Sequence, residues 1–124
     1  MALINDHKDL IVWRKAMMLA KEAYVVSSQF PWEERFGLTS QLRRAVVSVC
    51  SNIAEGHARR TTEFRHYLSI SRGSLAEAET QLLLAVELGF VSSVEIEIAL
   101  ALIEEVGRML SALARRIGPA RSTP

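Results

Sequence analysis

The sequence has little cysteine or proline and no long apolar run. Its single cysteine, Cys50, cannot form an internal disulfide, and a lone cysteine in an apolar stretch is typical of a reducing compartment. Only three prolines interrupt the 124 residues. No uncharged run approaches the ~20 apolar residues that cross a bilayer, and the N-terminus has no apolar signal region. We therefore expect a cytoplasmic protein without membrane contact.

The sequence also lacks the motifs of common enzymes and metal sites. Its histidines, His7, His57 and His66, do not show HExxH or comparable ligand spacing. The only aspartates are Asp6 and Asp9, close to the N-terminus. No glycine-rich phosphate loop, nucleophile elbow or Cys/His pair is present. We therefore predict a protein with no enzymatic activity, no cofactor and no metal ligands.

What the sequence does contain is the composition of a folded domain, with 49% hydrophobic and 23% charged residues. The net charge is only +1, but the charges are unevenly distributed. Residues 33–72 carry seven arginines against four glutamates, and residues 73–107 carry seven glutamates and no basic residue. Residues 108–124 carry four arginines and no acid. This pattern predicts one acidic face and two basic regions.

Apolar residues recur at steps of three and four in four segments, which predicts four amphipathic helices. Thr39 or Ser40 is the expected cap of the second helix and Gly56 its stop, whereas Ser92 and Glu95 have the spacing of a capping box before the fourth. The predicted spans are Asp9 to about Gln29, Thr39 to Gly56, Thr61 or Thr62 to Gly89, and Ile96 to Ile117.

The short connections between these segments predict an all-α fold, an up-down-up-down antiparallel four-helix bundle. We expect one domain over residues 1–124, with frayed ends at about residues 1–7 and 119–124. Gly73 lies inside the third segment, among small residues. A glycine in the middle of a helix costs about 1 kcal/mol relative to alanine, so we expect Gly73 to mark the close approach of another backbone.

The second helix carries two stripes. Leu42, Val46, Val49 and Ile53 form an apolar stripe, which indicates burial. The other stripe is polar and, with residues of the third helix, forms the first candidate site: Arg44, Ser48, Asn52, Glu55, Ser74, Glu77 and Gln81.

This polar set has two interpretations. It is either a binding or catalytic cleft, or a hydrogen-bonded seam inside the bundle or between subunits. We favour the seam, in which Arg44 pairs with a carboxylate and Asn52 bridges backbone groups, because buried charges must be paired. Asn52 and Glu55 are then the most important members, so replacing either by leucine should disturb the protein more than Arg60→Ala does.

The second candidate site is a set of arginines suited to phosphates: Arg35, Arg43, Arg59, Arg60, Arg65 and Arg72. The planar guanidinium donates paired hydrogen bonds to phosphate oxygens. The alternative is an ordinary solvated surface. A second such basic patch is expected at the C-terminal end, and its alternative explanation is that cations stabilise the negative end of a helix: Arg108, Arg115, Arg116 and Arg121.

Three runs of residues carry a resemblance to a known family: DLIVWRKAM, FPWEERFGLTSQLRRAVVSVCSNIAEG and GSLAEAETQLLLAVELGF. They resemble the four-helix-bundle proteins named for intervening sequences in bacterial 23S rRNA genes, a family that also includes the accessory protein of diversity-generating retroelements. The resemblance covers about Asp9 to Gly89, and the fourth helix matches in pattern only. It implies a four-helix bundle that assembles into a ring-like homopentamer. For the retroelement members it further implies binding to nucleic acid and to a reverse transcriptase.

The residues and the resemblance together predict a non-enzymatic oligomeric bundle that acts as a nucleic-acid-binding accessory module. The alternative is a protein-interaction scaffold or structural ring that binds no nucleic acid. In a ring each basic patch is repeated in every subunit, so weak phosphate contacts add by avidity. The expected partners are further copies of the chain, RNA or DNA, and a reverse transcriptase.

Overall fold

Helices make up most of the structure. The computed structural model describes residues 6–59 and 62–117. Those residues form no strand and four α-helices, which are α1 (Ile11–Ser27), α2 (Leu38–Arg59), α3 (Thr62–Glu87) and α4 (Glu97–Ile117). Short 3-10 turns occur at His7–Asp9, Trp32–Glu34 and Val94–Ile96. The predicted all-α class and the four-helix bundle are confirmed.

The core lies where the apolar faces of the four helices meet. α1 and α3 each contact both α2 and α4, and the α2–α3 contact is the most extensive. The predicted apolar stripe of α2 is buried, since Leu42, Val46, Val49 and Ile53 are all 0% exposed. This burial confirms that the three-four periodicity identified the inner face of α2.

The N-terminus of α2 is capped by a carboxylate. Glu34 Oε1 accepts a hydrogen bond of 2.9 Å from the backbone N–H of Leu38, the first residue of the helix. A carboxylate suits this position because the exposed N–H groups carry partial positive charge. Thr39 and Ser40 therefore lie inside the first turn, and the prediction that one of them caps α2 is wrong.

Within the described chain, Gly56 and Gly73 do not have the structural roles that the sequence predicted for them. α2 continues past Gly56 to Arg59, so the prediction that Gly56 stops the helix is wrong. A Cβ atom at Gly56 would lie 2.8 Å from Tyr67 Cβ and 2.9 Å from Phe64 Cδ1, so glycine permits the close approach of α2 and α3. At Gly73 no described atom outside the local helix backbone and the adjacent residues lies within 4 Å of such a Cβ, so the predicted close approach is not made within the described chain, and a subunit contact there stays a prediction.

α3 ends as the sequence predicts. Gly89 has a φ of +76°, the left-handed region that favours glycine. The N–H of Phe90 donates to the carbonyl of Ala85 and that of Gly89 to Val86, both at 2.9 Å. These two bonds form a Schellman motif, which satisfies carbonyl groups at the end of the helix.

The predicted capping box before α4 is also confirmed. The N–H of Ser92 donates to Glu95 Oε1 at 2.9 Å, and the N–H of Glu95 donates to Ser92 Oγ at 3.3 Å. The hydrogen bond from the Ser92 backbone is the main cause that lowers the pKa of the Glu95 carboxyl below its usual value. The box precedes the 3-10 turn from which α4 continues at Glu97.

Some predictions concern residues that the structure does not describe. They include the phosphate contact Arg60, the alternative cap Thr61, the arginine at position 121 and most of the predicted frayed ends. Among the helices that are described, none combines the length and apolar character needed to span a bilayer.

Candidate functional site

The polar stripe of α2 faces α3 across an open cleft. This polar cleft has a volume of about 310 Å³ and is lined by Gln41, Arg44, Ala45, Ser48, Ser74, Glu77 and Gln81. The hydroxyl oxygens of Ser48 and Ser74 lie 2.8 Å apart and join the two helices by a hydrogen bond. The structure thus brings together five of the seven residues of the predicted polar set.

Asn52 supports the cleft without lining it. Its Nδ2 donates to the backbone carbonyl of Ser48 at 2.9 Å and to Ser48 Oγ at 3.0 Å. The Ser48 oxygen therefore contacts both Asn52 and Ser74, and either serine hydroxyl can be the donor in the Ser48–Ser74 bond. A chain of hydrogen bonds therefore runs from Asn52 through Ser48 to α3, as a hydrogen-bonded seam requires.

Glu55 does not line this cleft, so it is not part of a seam inside the bundle, and its place at a subunit interface stays a prediction. It lies seven residues beyond Ser48, about 10 Å along the helix axis. Its side chain is exposed, and its Oε1 accepts a 2.9 Å hydrogen bond from Arg59. The predicted pairing of Arg44 with a carboxylate is not made inside the bundle, since no ion pair within the described chain involves Arg44, and pairing across a subunit interface stays a prediction. Arg44 is exposed, so water solvates its charge.

Asn52→Leu should lower the stability of the fold more than Glu55→Leu. The first substitution removes two hydrogen bonds beside the Ser48–Ser74 contact, and we expect it to cost about 1–2 kcal/mol. The second removes an exposed ion pair, so the melting temperature should stay almost unchanged. Thermal unfolding followed by circular dichroism measures both. Equal effects of the two substitutions would contradict a seam centred on Asn52.

Arginine side chains gather around a second, larger opening, which we call the arginine groove. It has a volume of about 710 Å³ and is lined by Tyr24, Arg35, Phe36, Thr39, Ser40, Arg43, Arg44, Val47 and Ser48. None of these lining residues is acidic. Two of the predicted phosphate contacts, Arg35 and Arg43, come together here. Arg44, which the sequence assigned to the polar set, lines both openings.

Arg35 is held against two aromatic rings at one end of the groove. Its guanidinium carbon lies 4.2 Å from the ring centroid of Trp32 and 4.8 Å from that of Phe36. Nη1 also donates to the backbone carbonyl of Trp32 at 3.1 Å. These contacts fix the side chain in one position while Arg35 stays exposed to solvent.

Arg43 connects the groove to α1. Its Nε donates to Ser27 Oγ at 2.9 Å, and its guanidinium carbon lies 4.6 Å from the ring centroid of Tyr24. Ser27 is buried and Arg43 is half-buried. We infer that Arg43 mainly holds the wall of the groove in place, whereas the exposed Arg35 and Arg44 are available to a ligand.

The other predicted phosphate contacts lie apart from the groove. Arg59 bonds the carboxylates of Glu55 and Glu63 at 2.9 and 3.2 Å, and the hydrogen bond to Glu55 is the main cause that raises the pKa of Arg59. Its charge is therefore already compensated. Arg65 and Arg72 lie on α3 and line neither opening. The five of these arginines that the structure describes do not form one patch.

A third opening, the apolar groove between α1 and α2, was missed by sequence reasoning. It has a volume of about 570 Å³, and its lining includes Trp13, Met17, Val47 and Cys50. Burial raises the pKa of the Cys50 thiol to about 11, so the thiol stays protonated at neutral pH and is a poor nucleophile.

Among the residues that the structure describes, no group of three His, Cys, Asp or Glu side chains could hold a metal ion.

Comparison with protein families gives a match over most of the chain. A family model described as 23S rRNA-intervening sequence protein matches residues 8–112. The matched span contains the polar cleft, the arginine groove and most of α4, so the similarity extends beyond the three runs of residues that first indicated it. No curated protein matches the chain.

Proposed function

The chain belongs to the family of 23S rRNA-intervening sequence proteins, and on that premise we propose that it is a non-enzymatic oligomeric bundle that binds nucleic acid as an accessory module. The arginine groove is the observation that carries this proposal. Arg35, Arg43 and Arg44 line one open surface, and no described residue of that lining is acidic. Guanidinium groups donate paired hydrogen bonds to phosphate oxygens, which suits this surface to a phosphate backbone.

The proposal includes a ring-like homo-oligomer, a pentamer by resemblance, built from up-down-up-down bundles. Two contacts support an antiparallel α2–α3 pair: Gly56 lies close to Phe64, and Ser48 bonds Ser74, so positions rise along one helix as they fall along the other. In a ring every subunit would present its own arginine groove. Weak phosphate contacts would then add by avidity, since one nucleic acid could reach several grooves.

Salt-dependent binding tests the proposed function. Labelled RNA and DNA are titrated at about 50 mM and about 200 mM salt, and we expect binding to weaken at least about tenfold at the higher concentration, and more if one nucleic acid reaches several grooves, because each phosphate contact releases counterions. The Arg35→Gln/Arg44→Gln double variant should bind at least about tenfold more weakly at low salt.

The control for this experiment is the Arg59→Gln/Arg108→Gln double variant. It removes the same net charge, but Arg59 and Arg108 already bond the carboxylates of Glu55 and Glu104. We expect it to bind almost as the parent does. No binding at low salt, binding that is indifferent to salt, or equal losses in both double variants would count against the arginine groove.

A protein-interaction scaffold without nucleic-acid binding is the second candidate function. The apolar groove favours it, because Met17 and Val47 expose apolar surface there beside the half-buried Trp13. Light scattering decides whether the chain forms an oligomer, and a monomeric mass would exclude the ring. An oligomer that binds neither RNA nor DNA at low salt would select the scaffold.

A further inference from the structure

We propose that residues 32–36, beside the arginine groove, form a stacking platform for unpaired bases, so that the nucleic acid bound is single-stranded. This inference rests on the proposed nucleic-acid function and names its ligand class. Two large rings carry it: Trp32 is 72% exposed and Phe36 is 84% exposed. We call Trp32, Arg35 and Phe36 the aromatic platform.

The fold holds the backbone of the platform rigidly. Phe30, just before the turn, is buried and lies 5.9 Å from Phe90 between ring centroids, so it anchors the chain in the core. At the other end, the side chain of Glu34 caps α2. Backbone hydrogen bonds of 2.9 to 3.1 Å run from Glu34 to Pro31, from Arg35 to Trp32 and from Gly37 to Glu34. The backbone that carries the exposed rings is thus preorganised, which lowers the entropy cost of binding.

The platform joins aromatic and cationic groups in one place. Arg35 lies against both rings and donates a hydrogen bond to the Trp32 carbonyl, so its charge stays beside the two rings. Most of the surface of each ring is still accessible, and its remaining face can stack on a base. Arg44 lies on the adjoining groove wall, where it can meet a phosphate. Proteins that bind single strands combine aromatic rings, which stack on the bases, with arginines, which contact the phosphate groups.

The same groups discriminate among the possible occupants. A second copy of the chain could also cover the rings, and the glutamates of its residues 73–107 could pair with Arg35 and Arg44; a measurement of mass by light scattering distinguishes this occupant from a nucleic acid. A duplex presents phosphates but hides its base faces within the helix. A single strand presents both phosphates and base faces. The platform and groove together therefore fit single-stranded RNA or DNA best.

Trp32 is a built-in reporter for this proposal. The chain has two tryptophans, so Trp13→Phe leaves Trp32 as the only one. Titration with an oligothymidylate or oligouridylate of about 15–20 nucleotides, several times the smallest single-strand site sizes, should quench Trp32 fluorescence. A blunt duplex of equal length should bind without quenching. The affinities are also measured with Trp13 intact, so the test does not depend on the single-tryptophan variant.

Removing the rings should weaken single-strand binding selectively. We expect Trp32→Ala/Phe36→Ala to lower affinity for the oligothymidylate at least about tenfold, while duplex affinity stays unchanged. Val94→Ala/Ile98→Ala, which also trims exposed apolar side chains, is the matched control and should change neither affinity. Quenching together with this selective loss, at unchanged mass, supports the platform.

Three outcomes would overturn the platform. Salt-dependent binding without quenching and without preference for single strands would leave the proposed function standing and remove only the platform. No binding of either nucleic acid at low salt would remove both. A lower mass of the Trp32→Ala/Phe36→Ala variant in light scattering, with unaltered affinity, would assign the rings to a contact between subunits.

Discussion

Leu82→Ala should lower the free energy of unfolding by about 3–5 kcal/mol. Leu82 is 0% exposed on the inner face of α3, so the substitution removes buried methyl groups and leaves a cavity that the surrounding helices fill only in part. Domains of this size are stable by only about 5–15 kcal/mol, so the loss would be a large share of the total. Urea denaturation followed by circular dichroism measures it as a shift of the midpoint.

The next two residues of the chain provide matched controls. Leu83 and Leu84 are 48% and 44% exposed, so Leu83→Ala and Leu84→Ala remove the same atoms from a solvated surface. We expect each to change the free energy of unfolding by no more than about 0.5 kcal/mol in the monomer. A loss at Leu83 or Leu84 that grows with protein concentration would instead identify a subunit contact, because association stabilises by mass action. Equal losses at all three positions would contradict the packing of α3.

Periodicity was sufficient to choose Leu82 from three consecutive leucines. The three-four repeat runs through Leu75, Ala78, Leu82 and Ala85, and all four are buried. Leu83 and Leu84 fall outside the repeat, and both are exposed. The inner face of a helix is a local property of the sequence, which explains why the helices and the core could be predicted from residue spacing alone.

The arginine groove could be predicted only in part, because it depends on contacts between distant residues. Arg35 reaches the groove from the turn before α2, while Arg43 and Arg44 reach it from the helix itself. Charge counting also included Arg59, although its glutamate neighbours four residues away on each side already indicate compensation. The spacing of these glutamates was therefore enough to predict that the charge of Arg59 is compensated.

The exposure of the aromatic platform could not be predicted from the sequence, for a different reason. Phe30, Trp32 and Phe36 stand within seven positions, yet Phe30 is buried and the other two rings are exposed. A turn has no fixed period, so nothing in the spacing separates an aromatic ring that enters the core from one that remains in solvent. The difference arises from the direction in which the chain leaves α1 and enters α2, which is a tertiary property.

Gly56→Ala and Gly73→Ala should change stability in opposite directions, although both substitutions replace a glycine inside a helix. Alanine favours the helix by about 1 kcal/mol at either position. At Gly73 nothing described opposes this gain, so we expect stability to rise by about 0.5–1 kcal/mol. At Gly56 the added Cβ meets α3, and we expect the clash to outweigh the gain and leave a net loss of about 1–3 kcal/mol.

The identity of the clashing atoms decides which second substitution can restore stability to Gly56→Ala. The nearest atom is the Cβ of Tyr67, at 2.8 Å, and every residue except glycine carries a Cβ, so Tyr67→Ala should not relieve the strain. Phe64→Ala removes the ring atom at 2.9 Å, but the Phe64 carbonyl remains at 3.3 Å and the lost ring has a cost of its own. Denaturation of both double variants tests this. Full recovery in either would show that side-chain crowding, rather than the separation of the α2 and α3 backbones, makes glycine necessary at position 56.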